Sequence, residues 1–150
     1  MSFDCKHENI EVKALSETYE VLGEIVKVTS RVKVCKDCGE KIFDTDFSKS
    51  NMLQAYSTYR KNHDLLNHDE LKKVREDIGI SQHAMGVLLG VDSNEVKRHE
   101  NGAIQTRSYD QKIRKMMTLE GLAEVMLRAL YIADDDAESL REFIHRKAAE

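Results

Sequence analysis

Residues 69–117, DELKKVREDIGISQHAMGVLLGVDSNEVKRHENGAIQTRSYDQKIRKMM, decide the fold of this chain. Leu71, Val74 and Ile78 recur at helical spacing and predict a first helix. Ser81 is placed to cap a second helix that carries Ala84, Val87 and Leu88 on its inner side. Gly90 makes the turn, Asp92 or Ser93 caps a third helix centred on Val96, and Asn101-Gly102 ends it. A helix, a short glycine-containing turn and a second helix form the unit that lodges its second helix in the major groove of DNA.

Groove chemistry can be placed on this frame. Asn94 and Arg98 are four apart and share one face of the third helix, and these are the side chains that pair bidentately with adenine and guanine edges. Ser93, Glu95 and Lys97 flank that face; Glu95 either accepts from a cytosine amino group or repels phosphate. Ser81 and Gln82 begin the second helix, where a backbone phosphate is favoured, and Arg107 and Lys97 suit the same role. Glu100 reads as structural. For Asn94 and Arg98 the plainer alternative is a solvated polar face.

The 150 residues suffice for one compact domain or two small ones, and 41% hydrophobic with 33% charged residues describes an ordinary folded protein. The net charge of −4 is uneven. From Thr118 onward eight acidic residues face four basic ones, whereas Asp92 to Met117 holds six basic and four acidic. A locally basic middle with an acidic tail fits a small DNA reader. No run approaches the ~20 apolar residues of a membrane helix, and the first residues lack a signal-peptide core, so a cytoplasmic protein is expected.

Upstream the texture changes. In IVKVTSRVKV, residues 25–34, Val26, Val28, Val32 and Val34 alternate with polar positions, and residues 10–15, IEVKAL, alternate through Ile10, Val12 and Ala14. The two runs predict antiparallel strands joined through residues 18–23, with Gly23 in the turn. So small a hairpin needs a staple. Cys35-Lys-Asp-Cys38-Gly39 lets two thiolates approach one tetrahedral ion, and zinc is the expected cofactor; a redox pair and incidental thiols are the competing readings. Three cysteines, an odd number, argue against a disulfide framework. Cys5 and His7, two apart in an extended segment, are the candidates to complete the site. His63 or His68 is an alternative to His7, and Asp4 or Asp37 an alternative oxygen donor. Four protein ligands would make the site structural. Ser48 or Ser50 is placed to cap a connecting helix over about residues 50–62.

Together, cysteines at both ends of the hairpin, "CKDCGEKIFD", an "AYSTYRKNH" linker and "GISQ…ENGAIQT" resemble MqsA-type (YgiT-type zinc finger) antitoxins over residues 5 to about 117; "VRE…GISQ…LLGV…V.R.ENG" is similar to the Cro/repressor (XRE) helix-turn-helix. The resemblance implies a zinc-binding N-terminal domain that in some members binds the toxin, and a C-terminal domain that dimerises, binds palindromic operators and represses its own operon. It also places base-reading roles on Asn94 and Arg98. The chain departs from the pattern in having Cys5-x-His7 in place of a first Cys-x-x-Cys. It departs again in the residues after 117, where Leu119, Leu122, Val125, Met126, Ala129 and Leu130, then Leu140, Phe143 and Ile144, predict two added helices that cover the core, form a homodimer seam or receive a partner.

The expected class is α+β. A zinc-stapled β domain spans 1–46, a linker helix 47–68, a helix-turn-helix domain 69–117 and a helical extension 118–150. The expected function is that of a dimeric, sequence-specific DNA-binding transcriptional regulator, an autoregulatory repressor. The second reading is an antitoxin that neutralises a toxin or other protein partner, with DNA binding secondary. With no glycine-rich phosphate loop and no Ser, His and acid constellation, an enzyme is not expected.

Overall fold

A computed structural model of the chain describes residues 4–150; the first three lie outside it. The chain divides after His63 into two compact units. It is of α+β class, and the described residues form a small antiparallel sheet followed by seven helices and a 3-10 helix. Among the described residues no helix is long and apolar enough to cross a membrane.

In the first unit, strands β1 (Ile10–Val21), β2 (Glu24–Cys35) and β3 (Lys41–Ile42) form an antiparallel sheet in that order. Leu22 and Gly23 make the hairpin turn, both with positive φ (49° and 81°), as a two-residue primed turn demands. Thr18 to Val21, expected in the connection, therefore extend β1. The register also corrects the face assigned to this strand. Val12 stands opposite Lys33 and Ala14 opposite Arg31, whereas Tyr19 faces Val26 and Glu17 faces Val28. The inner face thus takes Leu15, Tyr19 and Val21 together with Val26, Val28 and Val34, and Val12 is left 48% exposed. Strand side chains have a period of two, so a shift of one residue exchanges the faces.

Helix α1 (Thr45–Asn62) begins earlier than the serines suggested, because Asp44 accepts from the Phe47 N–H at 3.0 Å and is the N-cap. Asn51 explains how α1 meets the sheet. Its side chain accepts from the Arg31 N–H at 3.0 Å and donates to the Arg31 carbonyl at 2.9 Å, the exchange a neighbouring strand would make. A buried amide thus closes part of an edge of β2.

The second unit comprises α2 (His68–Ile78), α3 (Gln82–Leu89), α4 (Ser93–Glu100), α5 (Arg107–Met116), α6 (Leu119–Val125), a 3-10 helix (Met126–Tyr131) and α7 (Asp134–Ala148). Ser81, Asp92, Thr106 and Thr118 each accept a backbone N–H at the start of α3, α4, α5 and α6. Leu71, Ile78, Met85, Leu88, Val96 and Ile113 form one core, and Leu122, Ala129, Ile132, Ala137 and Leu140 from the extension join it. The turn between α3 and α4 comes so close that a Cβ on Gly86 would lie 2.7 Å from the Val91 carbonyl oxygen. The apolar set of the extension is split, since Leu122 and Ala129 are buried while Leu119 and Leu130 are exposed.

Candidate metal centre and exposed helix face

Cys5, His7, Cys35 and Cys38 converge, with one donor atom from each lying within 4.8 Å of all the others. The hairpin brings its two ends together because Ile10 pairs with Cys35. Around the Cys-x-x-Cys turn the Cys35 N–H donates to the Glu40 carbonyl, Gly39 N–H to the Cys35 carbonyl and Lys36 N–H to the Asn9 carbonyl, at 2.8–2.9 Å. Gly39 takes φ 77°, the conformation the turn requires. The segment expected to be extended instead bends at His7, whose φ of 52° is uncommon for a residue with a side chain. That bend presents its Nδ1 to Cys38.

Distances test the fit. Metal–sulfur bonds of ~2.3 Å and metal–nitrogen bonds of ~2.0 Å at tetrahedral angles need sulfur–sulfur separations of about 3.8 Å and sulfur–nitrogen separations of about 3.5 Å. Cys5 and Cys35 have their sulfurs 3.6 Å apart, and the Cys38 sulfur is 3.4 Å from His7 Nδ1. Three thiols and an imidazole suit zinc, and four protein ligands leave no open position for a reacting water. The sequence reading missed Glu40. Its carboxylate lies 3.4 Å from His7 Nε2, where an outer partner holds a ligating imidazole in the tautomer that leaves Nδ1 available. Its signal in the sequence was no more than an acid two residues after Cys38.

The charge balance of the cluster agrees. The Cys35 thiol is pulled down to about 6, first by its hydrogen bond with His7 and then by the Cys38 and Asp37 N–H groups. At Cys5 the His7 N–H pulls downward, but the hydrogen bond shared with Cys35, together with burial, prevails and pushes the thiol up to about 11. One thiolate forms readily and its neighbour does not; a bound cation removes that conflict. Of the alternative ligands, His63 is engaged with Glu24 and Asp37 with Asn9, and neither they nor His68 or Asp4 belong to the cluster.

In the second unit, α4 has two contrasting sides. Val96, His99 and Glu100 are buried, while Asn94, Lys97 and Arg98 are exposed. The inner side is polar as well as apolar. Arg75 donates to both Glu100 oxygens (2.6 and 3.2 Å) and to the Ile80 carbonyl (2.9 Å), and Gln82 donates to Glu100 at 2.6 Å. One buried carboxylate therefore ties together α2, α3 and α4. His99 Nδ1 lies 3.1 Å from the Ala103 carbonyl oxygen, and the ring packs against Tyr109 at 4.5 Å. Burial, then the Glu100 and Glu95 carboxylates, pushes the Tyr109 phenol up.

The other predicted positions are distributed as follows. Ser93 opens α4, and Glu95 is half-buried with its carboxylate 3.6 Å from His99. Arg107 is exposed at the first position of α5. Ser81 and Gln82 are committed internally. Both the Ser81 N–H and hydroxyl donate to Asp136 at 2.9 Å, so a carboxylate from α7 occupies the start of α3 where a phosphate was expected.

Fold and site together define a two-unit protein in which a β unit closed by a Cys/His cluster is followed by a compact helical unit whose α4 exposes Asn94, Lys97 and Arg98. The family model for the antitoxin component of bacterial toxin-antitoxin system, MqsA, matches residues 3–124. The chain belongs to that family. Neither the curated proteins nor the solved structures contain a significant match.

Proposed function

We propose that the protein is a sequence-specific transcriptional regulator of the cytoplasm, an autoregulatory repressor that binds a palindromic operator as a dimer. The observation behind this reading is the outward row Asn94, Lys97 and Arg98 on a helix whose opposite side is locked by Val96 and Glu100. A rigid helix presenting Asn and Arg at i and i+4 has the geometry for adenine and guanine edges in the major groove. Ser93 and Glu95 border the reading face, Lys97 and Arg107 are assigned to phosphates, and Ser81 and Gln82 hold the frame. Cys5, His7, Cys35 and Cys38 hold a structural zinc that stabilises the first unit. No reaction is assigned to the chain.

A second reading follows from the family. Membership in an antitoxin family supports a toxin as partner, and the first unit offers a groove of ≈ 280 Å³ bordered by Tyr19, Arg31, Lys33, Phe43 and Phe47. Phe43 is 80% exposed beside it. The two readings are compatible in one molecule.

The deciding experiment is an anisotropy titration of the full chain against DNA from upstream of its own gene, at two salt concentrations with competitor, alongside Arg98→Ala. Competitor-resistant binding that Arg98→Ala abolishes supports the regulator. Weak binding that is strongly salt-dependent and indifferent to Arg98 refutes the assigned reading face.

A further inference from the structure

α7 reaches back to the helix pair that carries the reading face. The Ser81 N–H and hydroxyl both donate to the Asp136 carboxylate at 2.9 Å, one to each oxygen. The same hydroxyl accepts from the Ala84 N–H at 3.0 Å, so the carboxylate is joined to the N-cap of α3 itself. Asp136 is held there from behind. Ala137 and Leu140 of its helix are 6% and 0% exposed, and a Cβ on Gly79 would touch the Ser139 Cβ at 3.6 Å. Asp134 and Asp135 stand exposed in the same first turn, which Ala133 leaves without a side-chain cap. α7 lies beyond the residues the family model matches.

We infer that the start of α7 is an autoinhibitory clasp: Asp136 holds the place of a DNA backbone phosphate at the start of α3 and must give it up for the helix pair to dock fully. The inference rests on the DNA-binding regulator proposed above and adds a control that the extension builds into it. In a helix-turn-helix the first helix crosses the sugar-phosphate backbone while the second enters the groove. The donors at the start of α3 and the positive end of its dipole favour an anion, phosphate and carboxylate alike. One anion occupies both Ser81 donors, and in the free protein the tethered carboxylate has the advantage of proximity. Gln82, next to Ser81, donates to Glu100 at 2.6 Å, so the clasped end is joined to α4. A phosphate approaching this end meets three carboxylates of one helical turn, and repulsion by a single charge at about 4 Å weakens binding roughly fivefold in water. Opening needs no unfolding of α7. Rotation of one side chain in an uncapped first turn releases Ser81 and leaves Ala137 and Leu140 in the core.

The test is the affinity of the metal-loaded full chain for two duplexes, DNA from upstream of its own gene and an unrelated sequence, read by anisotropy at two salt concentrations. Asp136→Asn removes the charge and should raise affinity about fivefold; Asp136→Ala also frees both Ser81 donors and should raise it about tenfold. A backbone contact carries no sequence information, so the gain should be equal on both duplexes and should shrink in salt. Glu142→Gln makes the same charge change farther along α7 and should gain less than about twofold. Asp134→Asn/Asp135→Asn, at exposed positions, should follow Asp136→Asn in direction and decides the matter if the Asp136 variants fold poorly. Unchanged or weaker binding by the folded variants, a gain matched by Glu142→Gln, or a gain confined to the upstream duplex overturns the clasp. The regulator is scored by the preference for upstream DNA. An equal gain on both duplexes without that preference sinks the regulator and leaves the clasp, and a preference that no variant strengthens does the reverse. Failure of wild type and variants alike to bind either duplex sinks both.

Discussion

Arg75 and Glu100 meet through two parallel hydrogen bonds, Nε to Oε1 at 2.6 Å and Nη2 to Oε2 at 3.2 Å, with the Glu100 side chain 4% exposed. The pair holds α4 against α2 and so fixes the angle at which Asn94 and Arg98 are presented. Removing one member strands a buried charge, which costs about 3–5 kcal/mol. Arg75→Ala should therefore lower the unfolding free energy measured in urea by that much and weaken DNA binding, although Arg75 is not among the proposed DNA contacts. A stability within ~0.5 kcal/mol of wild type would show that the clamp does not hold the unit.

The Cys/His centre predicts a division of stability between the two units. Chelation of the metal, or Cys35→Ser, should melt the hairpin unit while α2 to α7 stay folded, seen as loss of sheet signal in circular dichroism with the helical signal of the second unit retained. Glu40→Gln keeps all four ligands and should weaken metal binding about 10–100-fold through His7. Full metal content and unchanged affinity in both variants would remove the centre from the account. Affinity should also fall in acid, because the thiols must lose protons to bind.

Asp110 makes stability depend on pH. The residue is 1% exposed, and its carboxylate accepts from the Leu66 N–H at 2.8 Å, Gln105 at 3.1 Å and Arg114 at 2.7 Å. Burial alone would raise the group, but the bonds from Arg114, Leu66 and Gln105 outweigh it and hold the carboxyl below its ordinary value. A folded value below the unfolded one gives stability that is complete above the unfolded value of ~3.9 and disappears as pH falls through the folded one. Thermal midpoints should drop on acidification below about pH 4, and Asp110→Asn should be less stable at pH 7 with a flatter acid limb. Parallel curves for the two proteins would refute the assignment.

Gly121 is required by contact rather than by backbone conformation. A Cβ at this position would stand 2.0 Å from the Lys115 carbonyl oxygen, so Gly121→Ala must push α6 off α5. A loss of about 1–3 kcal/mol is expected, with faster amide exchange first in residues 119–140. Native exchange rates there would mean that the helix ends yield without cost.

Local chemistry was legible in the sequence wherever one short segment decides the outcome. The helix starts at Ser81 and Asp92, the αL glycine at Gly90 and the inner faces at Leu71, Ala84 and Val96 follow from caps and a 3.6-residue period, which any short peptide carries with it. The Cys-x-x-Cys turn and its Cys-x-His complement were legible for the same reason: donor chemistry and spacing are properties of the chain.

Tertiary structure decided what depends on distant partners. Which face of β1 turns inward was set by where the Leu22-Gly23 turn put the register, so Val12 lies outside although its alternation matches that of a buried strand. Asp136 reaches Ser81 across 55 residues, Glu40 comes to His7 only after the hairpin closes, and the apolar residues of 119–132 divide between core and surface according to how Gly121 lets α6 lie on α5. Helix periods and caps act over one or two turns of chain, whereas register, buried ion pairs and exposed ridges arise from packing, where small steric and hydrogen-bonding differences between distant segments select one arrangement.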